Sequence, residues 1–214
     1  MHKHITFDMD DTLTATHAYI RENLKPTTEA NLQAMIECDR AGHAYINASS
    51  ELQDDIHDQI LTSQEFMLKS GVAEWVANHY EEFCALIMSL KAQGHTFSIC
   101  THRGWSEQGK PLTSEWLNAK ALDLFEEIHC LDSKEHPCKL TYLEDLYGRD
   151  FIIVDDNPYH GIDRSKELSY NQNVIQCIGE HTVPEYVHFR TFASFPEFKE
   201  HLLTLLLGVK HESI

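Results

Sequence analysis

The six cysteines (Cys38, Cys84, Cys100, Cys130, Cys138 and Cys177) contain no C-x-x-C pair, and the fifteen histidines contain no H-E-x-x-H. The first absence argues against a zinc knuckle and a disulfide framework. Several of these cysteines fall in apolar strand or helix patterns, where a reduced thiol behaves as a small hydrophobe. The histidines are spread along the whole chain and read mostly as surface or packing residues, with a few able to titrate near neutrality. Long hydrophobic runs are also missing. The stretch from Leu202 to Val209 falls far short of a ~20-residue membrane span. The N-terminus leads straight into a charged strand rather than the apolar region of a signal peptide. No membrane association is therefore expected, and the cytoplasm is the expected compartment. Basic residues are scarce: 17 Lys and Arg stand against 34 Asp and Glu, a formal charge of -17. That balance repels polyanions and argues against duplex nucleic acid as a partner. There is no internal repeat or low-complexity linker, and nothing specifies an oligomeric state.

What is present is an alternation. Strand-like runs recur at Ile5 to Phe7, Thr96 to Cys100, Ile128 to Leu131, Phe151 to Val154 and Val174 to Ile178, with helical patterns between most of them. This predicts an α/β fold, a Rossmann-like parallel sheet with helices on both faces. Phe151 to Val154 is apolar at every position, as befits a strand buried on both sides. A long helix is expected from Glu74 to Gln93, packing Phe83, Leu86, Ile87 and Leu90 on one face. About eighty residues with little strand character separate the first two strands, with helical patterns around Thr28 to Asp39 and Glu51 to Leu68. The tail after Val209 is expected to fray.

The first strand delivers the chain into Asp8-Met9-Asp10-Asp11-Thr12-Leu13-Thr14. On an extended backbone residues i and i+2 point the same way, so Asp8 and Asp10 converge. Their repulsion is tolerable if a cation or a shared proton offsets it. In open parallel sheets the ligand crevice lies beyond the carboxyl ends of the strands. Asp8, Asp10, Thr101 and the pair Asp155-Asp156 all sit at such ends.

The apolar strand followed by Asp-x-Asp-x-Thr resembles the first motif of the haloacid dehalogenase superfamily, with Asp11 at a position often filled by Gly. The Thr12-Leu13-Thr14 continuation favours its phosphatase branch. Three further motifs follow in the order the resemblance implies: Thr101 at the end of a second strand, a Lys ahead of a helix, and Asp155-Asp156 after a later strand. The resemblance implies that Asp8 is a nucleophile forming an aspartyl-phosphate. It implies that Asp10 is the general acid and base, a role needing a raised pKa. Thr101, His102 and Arg103 are candidate phosphate or substrate contacts, Arg offering a planar fork to an oxyanion. For the lysine there are two candidates, Lys139 and Lys134. Lys139 fits better because it opens the pattern Leu140, Leu143, Leu146 that runs into Gly148. Asp8, Asp10, Asp155 and Asp156 are the expected ligands of Mg²⁺, with the choice between Asp155 and Asp156 as direct ligand left open.

The resemblance also implies a core domain over 1–15 and 73–214, and a small helical cap over 16–72. The function expected is Mg²⁺-dependent hydrolysis of a phosphomonoester on a small phosphorylated substrate, such as a nucleotide or sugar phosphate. Alternatives are a polynucleotide-end phosphatase, to whose Thr-x-Arg segment Thr101-His102-Arg103 is similar, and a catalytically quiet module that binds a phosphorylated ligand or protein.

Overall fold

The computed structural model describes residues 2–43, 45, 48–179 and 188–207. The tail expected to fray after Val209 lies outside them. Among these residues the strands β1 (His4–Phe7), β2 (Thr96–Thr101), β3 (Glu127–Cys130), β4 (Phe151–Asp155), β5 (Val174–Cys177) and β6 (Thr191–Phe192) form one sheet. Its order is β3-β2-β1-β4-β5-β6, and every pairing is parallel. All five expected strands are present. β6 was not foreseen, because two residues are too short to carry an alternating pattern.

The helices around the sheet are α5 (Glu74–Ala77), α6 (Tyr80–Ala92), α7 (Gly109–Ala119), α8 (Lys139–Tyr147) and α9 (Phe195–Leu207). The alternation of side chains along each strand assigns them to faces. Ile5, Phe7, Phe97, Ile99, Ile152 and Val154 share one buried cluster with Phe83, Ile87 and Leu90 of α6 and Phe198 and Leu202 of α9. Cys100, Phe151, Ile153 and Val174 share another with Leu140 and Leu143 of α8. Each such buried side chain stabilises the sheet by roughly 1.5–3 kcal/mol relative to exposure. The result is an α/β, Rossmann-like sheet with helices on both faces.

Two details depart from expectation. The helix predicted over Glu74 to Gln93 is split, because His79 leaves the helical dihedrals (φ -133°, ψ 33°) and starts α6 anew. The indole of Trp75 is meanwhile tied to the carbonyl of Thr12 at 2.7 Å, which fixes α5 to the turn after β1. In α8, Leu140 and Leu143 are buried but Leu146 is 49% exposed. Successive steps of three residues drift around a 3.6-residue helix, so the third member leaves the face.

Between β1 and β2 the chain also builds a helical lobe from α1 (Thr16–Asn23), α2 (Glu29–Ala41), α3 (Ser50–Ile56), a π-helical turn (His57–Leu61) and α4 (Gln64–Lys69). Thr28, Ser49 and Ser63 cap α2, α3 and α4 with their hydroxyls, which satisfies amides that the first turn leaves orphaned. Gly42 ends α2 in the left-handed region, φ 68°. The lobe has its own apolar cluster, including Ile20, Leu52, Ile56, Phe66 and Met67, joined by Leu112 of α7. Its two connections to the sheet run side by side: Ala15 N donates to Gly71 O and Ala73 N donates to Leu13 O, both at 2.8 Å. The indole of Trp116 donates to Ser70 O at 2.7 Å and pins the returning strand to α7.

Candidate active site

Beyond the carboxyl ends of β1, β2 and β4, between the sheet and the helical lobe, lies a cleft of about 730 Å³. Asp8, Asp10, Thr101, His102, Arg103, Lys139, Asp155 and Asp156 all line it. Residues scattered over some 150 positions of sequence thus meet in one volume, as the topology of an open parallel sheet requires.

Asp8 continues the β1 ladder, its amide donating to Val154 O at 2.9 Å, so its position is set by the sheet. The turn that follows is closed by Leu13 N and Thr14 N, both donating to Met9 O, and by the Thr14 hydroxyl on the same carbonyl at 3.0 Å. Asp11 occupies the left-handed region (φ 57°), where a non-glycine residue is uncommon. Its carboxylate accepts from the His17 amide at 2.9 Å and pairs with His17 Nδ1 at 2.5 Å. This pair ties the turn to α1.

The carboxylate oxygens of Asp8, Asp155 and Asp156 lie within 4.8 Å of one another. Lys139 Nζ sits between two of them, 2.7 Å from Asp8 Oδ1 and 2.9 Å from Asp155 Oδ2. Lys134 also lines the cleft, and its amide donates to Asp132 Oδ1. The ammonium in contact with the acidic group is that of Lys139. Thr12 Oγ1 accepts from the Asp156 amide at 3.0 Å and donates to its carboxylate at 3.4 Å, while Asn157 N donates to Asp155 Oδ1 at 2.7 Å.

Burial pushes Asp8 up to about 7, against the lowering effect of Lys139 and with help from Asp155 and Asp10. Burial also raises Asp155, again opposed by Lys139. One ammonium does not offset three converging carboxylates, so the group carries excess negative charge in a low-dielectric site. Hard oxygen donors with uncompensated charge suit a small divalent cation such as Mg²⁺. The donor set therefore fits the expected metal.

Asp10 departs from the expected arrangement. Its carboxylate stands outside the acidic group and is held by Arg103, with Nη2 2.6 Å from Oδ1 and Nε 3.0 Å from Oδ2. Thr16 Oγ1 donates to the same Oδ1 at 3.1 Å. Burial would raise Asp10, but the charge and hydrogen bonds of Arg103 outweigh it, and the carboxyl is held below its usual range. A carboxyl with a raised pKa was expected here; the guanidinium, whose partner is not visible in sequence, reverses the sign.

Arg103 is 2% exposed. Its guanidinium also lies 5.4 Å from the centre of the Phe66 ring of α4 and reaches the Thr113 hydroxyl at 3.4 Å. Gly109 permits this placement, since a Cβ there would lie 2.1 Å from Arg103 O. The Thr101 hydroxyl is buried without a hydrogen-bond partner, an arrangement that costs about 1–3 kcal/mol unless a ligand completes it. His102 donates through Nε2 to His136 O at 2.9 Å. Burial, assisted by Lys139, lowers it to about 4, so at neutral pH it presents a neutral ring rather than a cation.

Sequence reasoning did not find Thr16, His17 or Phe66. The first two reach Asp10 and Asp11 from a helix six residues on, and no motif spacing marks them. Phe66 reads as an ordinary member of an apolar helix face.

No protein-family model matches the chain, and no curated protein matches it. Solved structures that align with it include a dehalogenase, at 12% identity over 93% of this chain and 96% of the other, TM-score 0.48. A haloacid dehalogenase-like hydrolase from Xanthomonas campestris aligns at 14% identity over 95% and 96%, TM-score 0.46. A hydrolase from Streptococcus pneumoniae TIGR4 aligns at 14% identity over 94% and 99%, TM-score 0.43.

Proposed function

We propose that this chain is a hydrolase of the haloacid dehalogenase superfamily that cleaves phosphomonoesters with Mg²⁺, through an aspartyl-phosphate on Asp8. The observation that carries the reading is the contact of Lys139 with both Asp8 and Asp155 at the mouth of β1, beside Asp156. Asp8 is buried and aligned by the ladder, so it pays little entropy to attack. Its carboxylate oxygen forms a bond to phosphorus as the bond to the leaving oxygen breaks, and water then releases phosphate and regenerates the carboxylate.

Lys139 supplies positive charge beside the nucleophile and the transferring group. Thr101 offers its unpartnered hydroxyl to a phosphoryl oxygen. Asp8, Asp155 and Asp156 would hold Mg²⁺, which when bound neutralises the acidic group and the charge on the phosphoryl oxygens. Asp10, kept ionised by Arg103, is suited to take a proton from the hydrolytic water. To protonate the leaving alcohol, Asp10 must first take up a proton from solvent, which it passes to the leaving oxygen and replaces from the hydrolytic water, and must give up part of the Arg103 fork to the phosphoryl group. That exchange gives Arg103 its substrate contact.

The helical lobe serves as a cap over residues 16–72, and 1–15 with 73–214 form the core domain. The side-by-side connections at Ala15–Gly71 and Leu13–Ala73 support that division. The polynucleotide-end alternative asks a strand end to reach Arg103, which is 2% exposed and packed against Phe66 of the helical lobe. The reading is tested by turnover of p-nitrophenyl phosphate with Mg²⁺ and with excess chelator. Turnover that vanishes with the chelator is expected, and full activity in EDTA would rule the mechanism out.

A further inference from the structure

The cleft changes character away from the acidic group. Its lobe-side wall carries Ile20, Leu61, Phe66 and Met67, and the loop after β2 adds Trp105 at the same cleft. Trp105 is 45% exposed, a large aromatic surface left uncovered at the mouth of a site. Single exposed apolar residues are ordinary; this one stands out because it shares a concave site with four apolar side chains from the other lobe. The Phe66 ring is already engaged by the Arg103 guanidinium at 5.4 Å, and among the described residues lining the cleft the Trp105 indole is the largest exposed aromatic side chain.

Ile20, Phe66 and Met67 are 1%, 2% and 0% exposed, so the apolar surface offered to a ligand is chiefly that of Trp105. Sugar hydroxyls would find polar partners such as Asp132, Ser133 and Asn157 in the same cleft, but a sugar has no flat face to cover the indole. A flat heterocycle has two apolar faces and a polar edge, and every nucleobase has a π-face that stacks on an aromatic ring. His57 and Thr62, which also line the cleft and are exposed, can meet ribose hydroxyls or the ring edge. We infer that the leaving group is a nucleoside whose base stacks on Trp105 at the cleft, so that the substrate is a nucleoside monophosphate rather than a sugar phosphate. The inference deepens the phosphomonoesterase reading and rests on it.

The experiment compares kcat/KM for adenosine and thymidine 5'-monophosphates, ribose 5-phosphate, which carries the same ester without the base, and phenyl phosphate. A stacked base is expected to favour the nucleotides over ribose 5-phosphate by about five- to a hundredfold, mainly in KM. Trp105→Ala should collapse that ratio, and Trp105→Phe should retain most of it. Binding gives a second readout. Trp75 and Trp116 are buried, at 7% and 0% exposure, so quenching of intrinsic fluorescence by adenosine monophosphate reports on Trp105 and should disappear in Trp105→Phe. Equal kcat/KM for nucleotide and ribose 5-phosphate overturns the inference and leaves the phosphatase reading standing. So does a preference for phenyl phosphate over both nucleotides. If no phosphomonoester is turned over, the phosphatase reading falls, and the fluorescence titration still decides whether a base is bound.

Discussion

Arg103 grips Asp10 through two hydrogen bonds, Nη2 to Oδ1 at 2.6 Å and Nε to Oδ2 at 3.0 Å, while its guanidinium lies over the Phe66 ring of the helical lobe. One buried side chain therefore links the turn after β1, the loop after β2 and α4. Its charge sets the protonation of Asp10, and its planarity sets where that carboxylate points.

Arg103→Lys keeps the charge and loses the fork, and the two cations are not interchangeable at a bidentate site. A loss of about tenfold or more in kcat/KM for a phosphomonoester is expected. The urea midpoint should fall as well, because a carboxylate is left without its paired donors. Wild-type kinetics in this variant would mean that the fork has no part in turnover.

Asp8→Asn should lower turnover by at least ~10³, as loss of a covalent nucleophile does, with the circular dichroism spectrum unchanged. The same variant tests the electrostatics. Burial raises Asp8 from 3.8 to about 7, so the folded protein holds this proton more tightly than the unfolded chain does. Its contribution to stability is fully present below pH 3.8 and is lost as pH rises through about 7. Asp155, also raised, acts in the same direction. Asp10 is lowered and acts in the opposite sense, losing its contribution as pH falls below the usual carboxylate range. In EDTA, Asp8→Asn should therefore be more stable than the wild type at pH 8, with the gap closing toward pH 4. Melting curves at three pH values decide it, and a gap independent of pH would sink the assignment.

The two lysines separate cleanly. Lys139→Met removes the ammonium that touches Asp8 and Asp155, and a loss of ~10²-fold or more in kcat is expected. Lys134→Ala should change kcat less than about threefold, since its side chain is outside those contacts. The reverse pattern would move the catalytic cation to Lys134.

Five of the six strands were legible because each carries apolar, strand-favouring residues between polar turn residues, and Phe151–Val154, apolar at every position and buried throughout, carried the strongest signal. Asp8, Thr101 and Asp155 were legible for a related reason: a polar residue that ends a buried strand is conspicuous, and the strand ends of a parallel sheet share one edge. Pairings were not. Thr12 meets Asp156 across 144 positions and Arg103 meets Asp10 across 93, distances over which composition and periodicity carry no information. The sign of the Asp10 shift depends wholly on such a pairing, so a carboxyl expected to be raised is lowered. The split at His79 also escaped the pattern, because Glu74 to Gln93 holds helical periodicity while Trp75 is anchored to Thr12 by a tertiary contact.

Substrate size is the remaining discriminant. The helical lobe stands over the strand ends and shares the cleft with them, which leaves a volume of about 730 Å³, in the range of ~300–1,000 Å³ that suits a small ligand. A chain of formal charge -17 repels a polynucleotide backbone at long range. Arg103, in the segment Thr101-His102-Arg103 that resembled a strand-end reader, is 2% exposed and packed against Phe66 of the lobe. A deoxynucleoside monophosphate should therefore exceed a 3'-phosphorylated oligonucleotide in kcat/KM by about tenfold or more at 0.15 M salt. The gap should widen as salt is lowered, because electrostatic repulsion of the longer polyanion is then less screened. A preference for the oligonucleotide, or a gap that narrows at low salt, would show that the lobe opens far enough to admit a strand end and that local cations outweigh the net charge.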